Sequence, residues 1–245
     1  MRVAVLSDIH ANLTALDAVL QATGEVDAVW HLGDVVGYGP DPDAVVERLA
    51  TVGAQGVRGN HDAAALGELD VTDFNADARR AVVWTSATIT TTTADWLRAL
   101  EPTRFEGDYT LVHGSPRDPT WEYILGRESI EANLDALTTP FGLHGHTHVP
   151  IAYARTTRSL GRRGLDVVEP GDGDTLELPD GPVLLNPGSV GQPRDGIPTA
   201  SWLVLDTAAR SVTWHRVGYA IADVQDRMRE RGLPARLVER LAYGW

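Results

Sequence analysis

Residues 3–10 read VAVLSDIH. A short apolar run that ends in a carboxylate and an imidazole is typical of a buried parallel strand with ligands at its carboxyl end. The same pattern returns along the chain, because apolar runs at residues 28–32, 55–58, 109–112 and 141–144 are each followed by polar side chains able to bind metal. We therefore predict that five strand ends build one site.

The polar side chains at these strand ends are carboxylates, imidazoles and one amide: Asp8, His10, Asp34, Asn60, His113, His146 and His148. Strand ends on one side of an open parallel sheet converge, so ligands far apart in sequence meet in one crevice. Seven ligands are too many for one ion, whereas two ions fit if a carboxylate bridges them. Asp34 is the natural bridge because it stands alone at its strand end. Such a donor set without thiolates suits manganese, iron, zinc, cobalt or nickel.

These motifs resemble those of the calcineurin-like metallophosphoesterases. The resemblance is carried, in the family's order, by DIH at 8–10, GD at 33–34, GNHD at 59–62, HG at 113–114, GHTH at 145–148 and NPGS at 186–189. It covers nearly the whole chain and is greatest to the small bacterial and archaeal phosphodiesterase branch, which includes proteins labelled by similarity to diadenosine tetraphosphatases. It implies an α/β fold of four layers, an α-β-β-α sandwich of two mixed sheets flanked by helices.

The resemblance also divides the ligands between two ions, of which manganese is our first expectation. It implies that one ion binds Asp8, His10, Asp34 and His148, and that the other binds Asp34, Asn60, His113 and His146. Two divalent ions can hold a bridging water, lower its pKa to give a hydroxide nucleophile, and clamp the phosphoryl oxygens. The expected activity is hydrolysis of a small phosphodiester or nucleotide.

His61 and Asp62 are the predicted catalytic residues beside the metals. Because His61 follows Asn60 directly, its imidazole must lie within reach of the reacting phosphate if Asn60 binds metal. A protonated ring can stabilise the developing charge or protonate the leaving oxygen, and the resemblance gives His61 the same role. Asp62 is placed to orient that ring and to favour its charged form.

Two candidate substrate contacts lie in the loops after the first two strands. Asn12 begins a helix that directs its free amides toward an anion, but it equally fits a simple N-terminal cap. Tyr38 lies in a loop rich in glycine and proline immediately after Asp34, where it either stacks on a substrate base or packs the loop. We expect contact with substrate from Tyr38.

Three further candidates follow His113 in the segment at residues 115–123. Arg117 is suited to phosphate, and the rings of Trp121 and Tyr123 are suited to a planar base. A packed surface loop is the alternative interpretation of the same segment.

The composition excludes several classes of protein. With 245 residues and 43% hydrophobic content, the chain can bury a substantial core. Cysteine is absent, which excludes disulfides, zinc-thiolate sites and cysteine nucleophiles. The net charge of −13 argues against tight binding to long nucleic acid. No apolar stretch is long enough for a signal segment or a membrane span, so we expect a cytoplasmic location and no membrane partner. The resemblance implies a small phosphorylated substrate.

We expect one metallophosphoesterase domain over residues 1–245. The polar, glycine-rich stretch near 155–182 predicts edge strands or a hairpin-like excursion, and residues 219–245 predict helices that complete the chain. Residues 183–186, 200–205 and 211–217 predict strands of a second, antiparallel-leaning sheet.

Two other functions are compatible with parts of the pattern. A nuclease is disfavoured by the acidic charge and by the lack of a basic stripe. A catalytically silent binding scaffold of the same fold should show replaced ligands or a missing catalytic histidine, and every matching position of this chain is filled. One departure is Ala11, where many relatives of the family carry glycine.

Overall fold

The structure, a computed structural model, describes residues 1–157 and 163–245. Two six-stranded mixed sheets pack against each other and carry helices on their outer faces. This arrangement confirms the predicted α-β-β-α sandwich. The layers matter for function because the two sheets bring loops from both halves of the chain to one end of the molecule.

Each sheet combines strands from both halves of the chain. In order across the sheet, the first contains β3 (Gln55–Gly56), β2 (Ala28–His31), β1 (Arg2–Leu6), β11 (Ala200–Asp206), β12 (Ser211–Val217) and β9 (Thr175–Glu177). The second contains β4 (Thr103–Glu106), β5 (Tyr109–Val112), β6 (Phe141–Leu143), β10 (Val183–Pro187), β7 (Pro150–Thr157) and β8 (Arg163–Val168). Parallel pairing joins β1, β2 and β3 in the first sheet, and β5, β6 and β10 in the second.

Strand β1 shows why the sheets stack. Its side chains alternate between the two faces of the sheet, as the pleat requires. Val3 and Val5 point into the core between the sheets, where they join Leu111 and Leu143 of the second sheet. Ala4 and Leu6 point the other way, into the layer under the helices. A strand buried on both faces reads as a continuous apolar run, which is what residues 3–6 show.

Helices cover both outer faces. The first sheet is covered by α1 (Leu13–Thr23), α2 (Pro42–Thr51) and α5 (Thr91–Arg98), and the second by α6 (Gly126–Ala136). A third group packs around the loop that holds Tyr38 and consists of α3 (Asn60–Ala65), α4 (Ala76–Thr88), α7 (Ile221–Glu230) and α8 (Ala235–Arg240). Within the described residues, no helix combines the length and the apolar character that a membrane crossing needs.

The predicted assignment of strands to sheets was wrong in two respects. The five ligand-bearing strands do not lie in one sheet, because β1, β2 and β3 belong to the first and β5 and β6 to the second. Nor do residues 183–187, 200–206 and 211–217 form a separate sheet, since β10 pairs with β6 while β11 pairs with β1. An apolar run indicates burial on both faces but carries no information about which strand lies beside it.

The region near 155–182 is also divided between the sheets. Strand β8 pairs antiparallel with β7 at the edge of the second sheet, whereas β9 pairs with β12 in the first. The predicted excursion includes residues 158–162, which lie outside the described residues.

Candidate metal centre

The loops after β1 and β2 hold their ligands in an unusual backbone conformation. Asp8, His10 and Asp34 have φ values of 52°, 48° and 50°, in the left-handed region that side-chain-bearing residues rarely adopt. Backbone bonds between the two loops keep them there, because the amide of Asp8 donates to Gly33 O at 3.2 Å and that of His10 to Asp34 O at 2.9 Å. Such local strain, of order 1–3 kcal/mol per residue, is typical of functional sites.

Two glycines allow the ligand loops of β2 and β3 to touch. Gly33 has a φ of 82°, and a Cβ there would lie 2.5 Å from the amide nitrogen of Gly59. Only a residue without a side chain fits such a contact. Asp34 and Asn60, which follow these glycines, are therefore brought together by backbone packing.

Three of the histidines are oriented by hydrogen bonds to the backbone. The Nδ1 atoms of His10, His113 and His148 lie 3.2, 2.8 and 2.6 Å from main-chain carbonyl oxygens. A carbonyl can only accept, so each Nδ1 carries a proton, and in the neutral form of each ring Nε2 presents a lone pair. This is the orientation that metal-binding histidines adopt in proteins.

The first group of candidate ligands is Asp8, His10 and His148, all buried. The Nε2 atoms of His10 and His148 lie 3.2 Å apart, and Asp8 Oδ1 lies 3.2 Å from Nε2 of His148. Asp8 Oδ1 has no hydrogen-bond donor among the described residues. Two lone pairs and a carboxylate oxygen at this separation repel one another unless a cation lies between them, so the group fits a metal ion.

The second group is Asp34, His113 and His146, also buried. Nε2 of His113 lies 3.0 Å from Nδ1 of His146 and 3.3 Å from Oδ2 of Asp34. Asn60 adds its Oδ1 at 2.9 Å from the same Nε2. Four donor atoms therefore converge, and they are the four that the resemblance implied for one ion.

Asp34 lies between the groups. Its Oδ2 is 3.7 Å from Nε2 of His10 in the first group and 3.3 Å from Nε2 of His113 in the second. Its Oδ1 accepts the backbone amide of His61 at 2.8 Å, which fixes the carboxylate in place. Six of the predicted ligands thus form two neighbouring groups, and the Asp34 carboxylate of the second group faces His10 of the first.

The electrostatic environment favours a positive charge in this centre. Burial lowers the pKa of His113, but the Asp34 carboxylate outweighs it and raises that pKa to about 9. Burial instead holds the pKa of His10, His146 and His148 well below the usual value, so these rings stay neutral. Neutral imidazole is the form that binds metal. A divalent ion would supply the positive charge that the buried Asp34 carboxylate attracts.

The structure does not support the predicted role of Asp62. Both of its carboxylate oxygens accept backbone amides, from Val36 at 3.0 Å and from Gly59 at 3.0 Å. Asp62 is the third residue of α3, one position after His61, and adjacent residues of a helix point in different directions. Asp62 therefore fastens the loops that carry Asp34 and Asn60, and no hydrogen bond joins it to the His61 ring in the described part of the chain.

His61 itself lies in the wall of the site. Its ring contacts those of His10 and Tyr38, with centroids 4.9 and 4.3 Å away. Burial lowers the pKa of His61 to about 4, so the ring is neutral at neutral pH in the free protein. Both carboxylate oxygens of Asp62 are occupied by backbone amides, and a role of Asp62 in charging this ring stays a prediction.

Asn12 and Tyr38 contact the backbone and side chains around the site. The Oδ1 of Asn12 accepts the amide of Ala15 at 3.1 Å as a helix cap, and its Nδ2 donates to Gly191 O at 3.0 Å. Tyr38 is buried, with its ring 4.5 Å from that of His10. Asn12 therefore makes the contacts of a helix cap and Tyr38 packs against His10, while substrate contact by either residue stays a prediction.

The three candidates after β5 lie at different distances from the predicted metal ligands. The ring of Tyr123 stacks on the ligand His146 with centroids 3.8 Å apart and remains 45% exposed. The ring of Trp121 lies farther from that of His146, with centroids 6.0 Å apart. Arg117 is half exposed and pairs with Glu122 at 3.7 Å within its own loop. Tyr123 is thus the member of this set closest to the metal ligands.

Arg194 was missed by the sequence analysis. It follows the turn at residues 186–191, which packs against the loop of Asp8 through the bond from Gly191 N to Asp8 O at 2.9 Å. The Nη2 atom of Arg194 lies 3.2 Å from Gln192 Oε1 and 3.5 Å from the hydroxyl of Tyr38. The only signal in the sequence is its position three residues beyond a turn that the resemblance had already associated with the family.

Comparison with known proteins decides the family. The profile of the calcineurin-like phosphoesterase superfamily domain matches residues 1–210. The chain belongs to this superfamily. The matched range contains all seven predicted ligands, and the resemblance stated from the motifs is confirmed. The chain is therefore a metal-dependent phosphoric ester hydrolase.

Two curated relatives align along most of their length. An uncharacterized protein of Methanocaldococcus jannaschii is 32% identical over 254 aligned positions, which cover 99% of this chain and 98% of that protein. The phosphodiesterase YfcE of Escherichia coli is 30% identical over 226 positions, which cover 86% of this chain and 91% of YfcE.

Solved structures agree with the fold. A metallophosphoesterase from Sphaerobacter thermophilus is 46% identical, with a TM-score of 0.89 over 100% of this chain and 99% of that one. A hypothetical protein from Pyrococcus horikoshii, 22% identical, has a TM-score of 0.78 over 100% of this chain and 98% of its own. The second of these supports the fold alone.

Proposed function

We propose that this phosphoesterase hydrolyses a small phosphodiester or nucleotide with the help of two divalent ions. The observation that supports this most is the position of Asp34, whose Oδ2 faces His10 in one ligand group and His113 in the other, at 3.7 and 3.3 Å. A carboxylate that bridges two ions needs this arrangement. Manganese is the first candidate, and iron, zinc, cobalt or nickel suits the same donors.

The proposed chemistry divides between the ions and the protein. When bound, two divalent ions lower the pKa of a water molecule and neutralise phosphoryl oxygens during in-line attack. The residues hold the ions at a fixed separation and limit the negative charge beside the substrate. Asn60 contributes to the second task because its neutral amide repels an anionic phosphate less than a carboxylate would.

His61 is proposed to act on the phosphate or on its leaving group. The neutral ring of the free protein gains a proton more readily once an anionic phosphate lies next to it, because a nearby negative charge raises the pKa of an imidazole. The protonated ring then stabilises the developing charge or donates its proton to the leaving oxygen. Asp62 supports this by holding the loop, as its two backbone hydrogen bonds indicate.

The assay that tests this proposal is hydrolysis of bis(p-nitrophenyl) phosphate by metal-stripped protein. We expect no turnover without added metal, and turnover that rises with added manganese until two ions are bound per chain. The stripped protein in the same buffer without metal is the control. Failure with each of manganese, iron, zinc, cobalt and nickel, in folded protein shown to bind them, would contradict the proposal.

A further inference from the structure

Arg194 is a partly buried arginine whose charge has no obvious counterpart in the fold. Among the described residues, no carboxylate lies within ion-pair distance of its guanidinium, and its Nε is buried without a hydrogen-bond acceptor. Several other arginines have a carboxylate partner, as Arg48 has in Asp17 at 2.7 Å and Arg58 in Glu68 at 2.8 Å. In a protein with 34 acidic residues and a net charge of −13, such a guanidinium in a sheltered position points to an anionic ligand.

The backbone around Arg194 is fastened to the metal ligands. Gln192 O accepts Nδ1 of His148 at 2.6 Å, and Gln192 N donates to the hydroxyl of Ser189 at 2.8 Å. On the other side, Asp195 forms an ion pair with Arg216. The guanidinium therefore projects from a loop whose position is fixed relative to the first ligand group.

Arg194 also faces the centre itself. It lies 3.5 Å from the hydroxyl of Tyr38, whose ring contacts those of His10 and His61 with centroids 4.5 and 4.3 Å away. The guanidinium carbon lies 5.9 Å from the centroid of the same Tyr38 ring. The cation is thus separated by one side chain from His10 of the first ligand group and from the proposed acid His61.

We infer that Arg194 binds the phosphate oxygens that the metal ions leave free. This inference rests on the proposed function, since it assigns part of the binding site for the same substrate. A guanidinium presents a planar fork of donors that matches two oxygens of a phosphate.

The test is a calorimetric titration of inorganic phosphate into the manganese-loaded protein. Arg194→Met should weaken phosphate binding by roughly 10- to 100-fold, the loss expected for a hydrogen-bonded charged pair. Arg194→Lys should fall between the wild type and Arg194→Met, because it keeps the charge and loses the fork. Arg48→Met, which removes one exposed arginine elsewhere, should bind phosphate as the wild type does. Manganese stoichiometry should be the same in all four proteins.

The outcomes separate this inference from the proposed function. Equal phosphate affinity in Arg194→Met and the wild type overturns the role of Arg194, whatever the activity. A wild type that binds phosphate, loses that binding in Arg194→Met and yet hydrolyses no ester supports the Arg194 site and refutes the proposed hydrolysis. Loss of manganese from Arg194→Met also overturns the inference, because the residue would then support the metal ligands and not the phosphate.

Discussion

Replacing Asp34 by asparagine should lower kcat/KM for a phosphodiester by roughly 10³-fold or more and leave at most one tightly bound ion per chain. Bound ions supply several kcal/mol of transition-state stabilisation, and each 1.36 kcal/mol is tenfold in rate. Asparagine keeps the oxygen that accepts the amide of His61 at 2.8 Å, so the loop is retained while the bridging charge is lost. Metal content by mass spectrometry and steady-state kinetics measure the two effects.

Asp17→Asn is the matched control for this experiment. Asp17 lies on α1 in an exposed ion pair with Arg48 at 2.7 Å, so its replacement changes the net charge equally without touching the site. Surface pairs of this kind contribute at most about 1 kcal/mol to stability. An Asp34→Asn protein that retains two ions and near-normal turnover would show that the two groups are not joined through this carboxylate.

The second large effect is expected for His61. His61→Ala should reduce kcat by roughly 10²- to 10⁴-fold, the usual contribution of a positioned proton donor. Its side chain is absent from both ligand groups, so the number of bound ions should stay at two. The Michaelis constant should change little, because the ring acts on charge that develops in the transition state.

His215→Ala provides the comparison for His61→Ala. The ring of His215 stacks on Trp202 with centroids 5.3 Å apart, on β12 and away from the ligand groups. Its loss should leave kcat at the wild-type value. The assignment of His61 would be refuted by a His61→Ala protein with unchanged kcat, and equally by one that has lost its metal.

Much of the candidate site could be predicted because the signal is local. Polar residues that follow an apolar run mark the end of a strand to within a few residues. Five such strand ends supplied the predicted ligands, which the structure brings together. Which strands pair in one sheet cannot be predicted from a short stretch of sequence. Arg2 of β1 pairs with Asp206 of β11, and nothing in either short run identifies its partner across that distance.

Asp62 and Arg194 show the same limit within the site. The direction of the Asp62 carboxylate depends on amides of Val36 and Gly59 that reach it only once the loops have closed. Arg194 reaches the centre because its loop is bound to His148 through a contact that spans 44 positions of sequence. Residue type and spacing could identify candidate ligands. The hydrogen-bond partners that fix the direction of a side chain come from loops that are distant in sequence.

The most direct test of the two-ion centre is anomalous diffraction from manganese-loaded crystals. We expect two peaks about 3.5–4 Å apart, one beside Asp8 and His148 and the other beside His113 and His146, with Asp34 between them. A single peak, or two peaks of which one lies away from Asp34, would contradict the account.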